Sequence, residues 1–256
     1  MQVPPERNAN QPTGQDPPKR ESQPTVQVPK EQSPPTGQTP YESRAYLTAN
    51  LAYSNVVTSL SVLTPHTKPY AWLSLCTFFA LASAAAWCLP VALQDALRWQ
   101  ADGWTRQPWT LWTAALVHLS ATHLAANMLA LAALAVTGHR MRLPAQAAVA
   151  LAVAWPLTTL GLLYWPQITS YTGFSGLNHA VASVVIAQAA IKKIAYPLSF
   201  VLLAGLGLKL LSEHAWSQPV VFSADWGFAV VQAAHLSGAA AGLVCAVALH
   251  VVGRVR

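Results

Sequence analysis

The chain predicts an all-α fold: a polytopic membrane protein, a bundle of six transmembrane helices preceded by a disordered tail. Three observations predict it. Hydrophobic residues make up 53% of the 256 residues and charged residues only 9%, against about 25% charged in soluble domains. Long stretches carry no Asp, Glu, Lys or Arg at all. The basic residues fall in small clusters between those stretches, as the positive-inside rule requires of membrane topology. The net charge of +6 therefore reads as topology rather than as a nucleic-acid surface, and no nucleic-acid partner is expected.

The first element is residues 1–66, a Pro/Gln-rich extension that includes QPTGQDPPKRESQPTVQVPKEQSPPTGQTP. Such a composition cannot bury enough apolar surface to offset the entropy of ordering, so a disordered, solvated tail is expected. It contains no apolar h-region of a cleavable signal peptide in its first forty-odd residues. The stretch from Ala45 to His66 is mildly apolar and Ser/Thr-rich, and an interfacial segment is a guess there. The remaining unit, residues 67–254, holds the spans.

A helix needs about 20 apolar residues to cross the hydrocarbon core. Pro69 to Gln94 is uncharged and supplies span one at residues 70–92. Gln107 to His139 supplies span two, with its core at 113–137. Leu143 to Ile191 is long enough to cross twice, and YWPQITSYTG in its middle marks a turn. Spans three and four follow at 144–164 and 174–191. Span five, Pro197 to Leu211 extended by Ala195 and Tyr196, is short; span six runs from Trp226 to Gly253.

Six spans place Arg7, Lys19, Arg20, Lys30, Arg44 and Lys68 on the same side as Arg140, Arg142, Lys192, Lys193, Arg254 and Arg256. Both termini are then cytoplasmic. The other side holds Arg98 and Arg106 beside Asp95 and Asp102, then Glu213 and Asp225, with Lys209 a mild exception near the end of span five. Cys76, Cys88 and Cys245 follow no metal or disulfide spacing and behave as small hydrophobes.

Polar groups inside such spans are costly and invite a functional explanation. His139, His214 and His250 lie near ends or in loops and are discounted. Three places remain. HLSATHLAANM carries His118, His123 and Asn127; the last two are four apart and share a helix face. On an ideal helix His118 lies about 140° from His123 and would serve a different neighbour. GFSG carries Ser175 between Gly173 and Gly176, with His179 four residues on. His235, in span six, shares nearly one face with the small residues Gly238 and Gly242, which permit close helix approach.

A hydroxyl, imidazoles and a carboxamide from three spans are the parts a serine hydrolase needs. The serine requires a base to take its proton, and histidine has the suited pKa. The oxyanion requires preplaced donors. Glycines flanking the serine let the chain turn tightly and expose its N–H at a helix start. No carboxylate lies inside the six spans, which leaves a Ser-His dyad unless a loop carboxylate reaches in.

At these residues the sequence resembles the rhomboid intramembrane serine proteases. The motifs are His118-LSAT-His123-LAA-Asn127, Gly173-Phe-Ser175-Gly176 and Ala234-His235-LS-Gly238-AAA-Gly242, in that order and over residues 69–252. The resemblance implies Ser175 as nucleophile and His235 as general base. It implies an oxyanion hole of the Ser175 N–H, His123 and Asn127. His118, Gly173, Gly176, Gly238 and Gly242 are supporting, the last two letting span six pack on span four. His179 stands where many rhomboids have Tyr; it either packs as a replacement or interacts with His235. GFSGLNH with AHLSGA is similar to the rhombosortase subgroup, which implies a bacterial inner-membrane enzyme. Its implied partners are the lipid bilayer and the transmembrane segment of an exported protein whose tail has a Gly-Gly motif, an apolar helix and a basic cluster. No cofactor and no metal are expected. The competing readings are an inactive relative that binds transmembrane segments, and a His-rich membrane metal-binding protein.

Overall fold

The computed structural model describes residues 70–192 and 196–254. The expected disordered tail, the Ala45–His66 segment and all the basic residues ahead of span one lie outside them. Eight α-helices are described: α1 Tyr70–Trp87, α2 Val91–Ala96, α3 Thr110–Thr113, α4 Ala121–Arg140, α5 Ala145–Leu160, α6 Ser175–Lys192, α7 Tyr196–Glu213 and α8 Gln232–Arg254. Four short strands pair antiparallel in twos: β1 Trp99–Gln100 with β2 Ser170–Tyr171, and β3 Val221–Ser223 with β4 Phe228–Val230. The fold is thus mostly helical, as the sequence predicts, with two small β-pairs added to it. Both pairs lie in the segments between long helices, where chain without helical hydrogen bonds must still satisfy its backbone.

Four helical segments are long and apolar enough to cross a membrane: α1, α4, α8, and α5 with its 3-10 extension to Tyr164. The apolar stretch of α6, Ser175–Ile191, is shorter. α7 has 18 residues and carries Lys209 and Glu213. α6 occupies the middle of the bundle. It packs against α4, α5, α7 and α8, and it is buried on nearly every side, including Asn178, Ser183 and Gln188. A helix in the middle of a bundle meets protein rather than lipid and can carry polar residues that find partners there.

Three expected boundaries shift. Span one ends at Trp87, where Cys88 and Leu89 close the last turn on Ala85 and Ala86 and Pro90 precedes α2. Span two does not begin at residue 113. Thr110–Leu116 forms a separate short helical passage, Val117 is extended, and Ser120 caps α4 by accepting from the His123 N–H at 3.1 Å. Span six starts at Gln232; Trp226 lies in the β3–β4 hairpin, whose turn Gly227 closes at φ +74°.

The core sits between α1, α4, α5, α6 and α8. Trp72, Phe79, Leu131, Leu151, Phe174 and Val181 are fully buried within it. The large apolar side chains that remain exposed, such as Phe78, Leu129, Val149 and Val244, face outward from the helices, as lipid-facing positions do. The tightest joint is between α6 and α8. A Cβ on Gly238 would collide with the Gly176 carbonyl, and one on Gly242 with the Ala180 carbonyl. Backbone meets backbone there because both α8 residues lack a side chain.

Candidate active site

Ser175 is the first residue of α6. The first four N–H groups of a helix have no intrahelical acceptor, so the serine's own N–H belongs to that free set. The chain reaches this point through a fixed turn. The Tyr171 hydroxyl donates to the Gly173 carbonyl at 2.6 Å, and the Gly173 N–H donates to Ala114 at 3.0 Å. Gly173 itself has φ +121°, a region that strains any side chain, and a Cβ there would sit 2.8 Å from the His123 ring.

His235 comes from the first turn of α8, on the close-packed joint with α6. Its Nε2 lies 2.9 Å from Ser175 Oγ. Its Nδ1 lies 2.8 Å from one carboxylate oxygen of Glu213 and 2.9 Å from the other. A carboxylate from outside the expected spans therefore reaches in, from a helix end rather than from a loop. It does so because α7 continues two residues past Leu211 and ends on Glu213. Lys209, one turn earlier, pairs with the same carboxylate at 2.8 Å, which gives this cation a partner near the end of its helix.

His179 stacks on His235, ring centroids 4.3 Å apart and planes within 10°. Its Nδ1 lies 2.8 Å from the Ser175 carbonyl, the hydrogen bond of a side chain four residues along the same helix. His123 and Asn127 occupy one face of α4, both buried. The Asn127 amide donates to the His123 carbonyl at 3.0 Å, and an amide nitrogen has a second hydrogen to give. Asn178 of α6 donates to the Asn127 backbone carbonyl at 3.0 Å and to its side-chain oxygen at 3.1 Å. That bond fixes which end of the Asn127 amide faces which way.

His118 is a correction. It precedes α4 rather than lying on it, so helical angles do not apply. Its ring meets the His123 ring edge-on at 5.1 Å, and its Nδ1 is 3.1 Å from the Leu116 carbonyl. It backs His123 instead of serving a different neighbour.

A cavity of about 300 Å³ gathers His123, Asn127, Ser175, His179, Glu213 and His235 on its walls. The β3–β4 hairpin forms another wall, with the Trp226 and Phe228 rings 5.8 and 5.0 Å from that of His123. All the residues singled out for nucleophile, base and oxyanion donors are thus brought to one place, while Gly238 and Gly242 lie at the joint behind it. Sequence reading passed over two participants. Asn178 sits inside an apolar helix, three residues after Ser175, and that signal was legible. Glu213 sits 22 residues before His235, and no spacing rule connects them.

His179, Glu213 and His235 also each offer a ligand atom, all within 4.8 Å of one another. The chemistry of this donor set argues against a metal. The two imidazoles are nearly parallel, so their in-plane lone pairs run side by side instead of converging on a tetrahedral centre. The Lys209 ammonium already occupies the carboxylate.

The arrangement can activate a serine and hold an anion beside it, which is acyl-transfer chemistry. A search of curated proteins finds no match to the chain. The family model of the Rhomboid domain matches residues 105–251, a stretch that holds all three motifs and more than half of the chain, and the protein belongs to the rhomboid family, whose members are intramembrane serine proteases.

Proposed function

We propose that the protein is an active intramembrane serine endopeptidase, with Ser175 as nucleophile and His235 as general base. The observation that carries this is the 2.9 Å contact between Ser175 Oγ and His235 Nε2 inside a walled cavity. Ser175 attacks the scissile carbonyl as its proton passes to His235. The developing oxyanion is held by the Ser175 N–H, His123 and Asn127. His235 then protonates the leaving amine, and water or another amine resolves the acyl-enzyme. The substrate is a single membrane-spanning segment whose end unwinds near the outer face. Six spans, cytoplasmic termini and a bacterial inner-membrane location complete the reading. The substrate class we assign is the sorting tail of exported proteins, with Gly-Gly, an apolar helix and a basic cluster. GFSGLNH and AHLSGA support it.

The test is a reporter carrying such a tail, coexpressed in a membrane host with wild type, Ser175→Ala or His235→Ala. Cleavage by wild type alone is expected, with all three proteins equally present in the membrane. Full cleavage by Ser175→Ala would end the proposal. Cleavage of other transmembrane reporters but not this one would keep the protease and discard the sorting substrate.

A further inference from the structure

Glu213 is an unusual place for a carboxylate. It is the last residue of α7 and 8% exposed. A helix C-terminus favours cations over anions, and a buried charge is costly unless paired and hydrogen-bonded. Partners on both sides compensate. Lys209 holds one oxygen from its own helix, and His235 meets both oxygens from another. The geometry points to a positioning role: Glu213 completes a Ser175–His235–Glu213 triad, and Lys209 clamps its carboxylate in register. This rests on the protease reading of the same site.

The chemistry follows from the two ring nitrogens. A carboxylate is acceptor only, so His235 Nδ1 must carry the hydrogen and donate it. Nε2 is then left with the lone pair that the serine hydroxyl needs. With no carboxylate at Nδ1, nothing else among the described contacts of this ring selects that tautomer. During attack the Oγ–C bond forms, the carbonyl π pair moves onto oxygen, and the Oγ proton moves to Nε2. When the C–N bond breaks, that proton goes from Nε2 to the leaving nitrogen. Glu213 keeps its charge throughout and offsets that of the transient imidazolium. His179 fixes the face of the ring by stacking and Glu213 fixes its edge, so the ring has little freedom left to turn.

The test uses the full chain in lipid nanodiscs and a fluorophosphonate probe, which phosphonylates only an activated serine. Its readout is the second-order labelling rate, separate from the fraction labelled. Wild type should label and Ser175→Ala should not. Glu213→Gln, which can present an amide N–H to Nδ1 and so the wrong tautomer, should label roughly 10²-fold more slowly or worse. Glu213→Asp should recover part of the rate. A merely structural carboxylate would instead lower the labelled fraction and leave the rate of the folded remainder unchanged, and that result would overturn the triad. Should Glu213→Gln fail to fold, the wild type decides: with ¹⁵N-histidine, the Nδ1–H of His235 should give a far-downfield proton resonance. Its absence would equally overturn the assignment. A wild type that does not label at all removes the protease reading first, and the triad with it.

Discussion

The two helices that feed His235 are held in different ways. α8 carries the imidazole itself and is locked to α6 through glycines, with Ala234, His235, Gly238, Ala239 and Gly242 all buried. α7 carries Glu213 and exposes most of its length, with Phe200, Val201, Leu203, Leu208 and Leu211 all more than half exposed. Its glycines, Gly205 and Gly207, face open space. The Ser175–His235 distance is thus set by backbone-to-backbone packing, which tolerates almost no change. The carboxylate is placed by polar bonds at the end of a loosely covered helix. On the proposed mechanism, rigid packing is used where a proton must travel, and charge pairing where a ring must only be oriented.

The largest effect should come from filling the joint. Gly238→Val drives a side chain into the Gly176 carbonyl. It should abolish reporter cleavage and reduce the folded yield, measured by blot and by size-exclusion profile. Cleavage near the wild-type level would show that the α6–α8 contact does not set the site. Next is the oxyanion face. Removing one donor costs about 10²–10³ in kcat where donors are few; three are proposed here, so Asn127→Ala should lower kcat by roughly 10-fold to 10²-fold with KM little changed. A change in KM alone would assign Asn127 to substrate binding instead.

A smaller effect is expected at Asn178. Asn178→Leu removes the donor to both Asn127 oxygens, and a buried acceptor left unpaired costs about 1–3 kcal/mol. Thermal unfolding in lipid should register that loss, and activity should fall several-fold because the Asn127 amide is freed to turn. An unchanged melting temperature would mean that those acceptors find another donor. The smallest effect belongs to α7. Gly205→Ala meets nothing within 4 Å and restores up to about 1 kcal/mol of helix propensity. Activity should be unchanged and stability equal or higher. A loss of activity there would sharpen the comparison against us, showing that α7 must bend to deliver Glu213.

The chain's own patterning determined a helical membrane protein and the residue types of its site. Uncharged runs set the long helices, and Ser175, His235, His123 and Asn127 stood out because polar groups are expensive among apolar ones. Helical spacing linked Ser175 to His179 and His123 to Asn127, since four residues return the chain to one face. Where the chain leaves the helix, that reasoning lost its footing. A helical angle does not apply to His118, which precedes the Ser120 cap, and Trp226 belongs to a hairpin although its apolar surroundings match a helix. Glu213 could not be placed because nothing in its surroundings distinguishes it from any carboxylate at the end of a span. Only the tertiary structure decided that α7 runs two residues further and ends beside α8. Distances between helices depend on side-chain volume and contact geometry summed over the whole bundle, and no local periodicity encodes them.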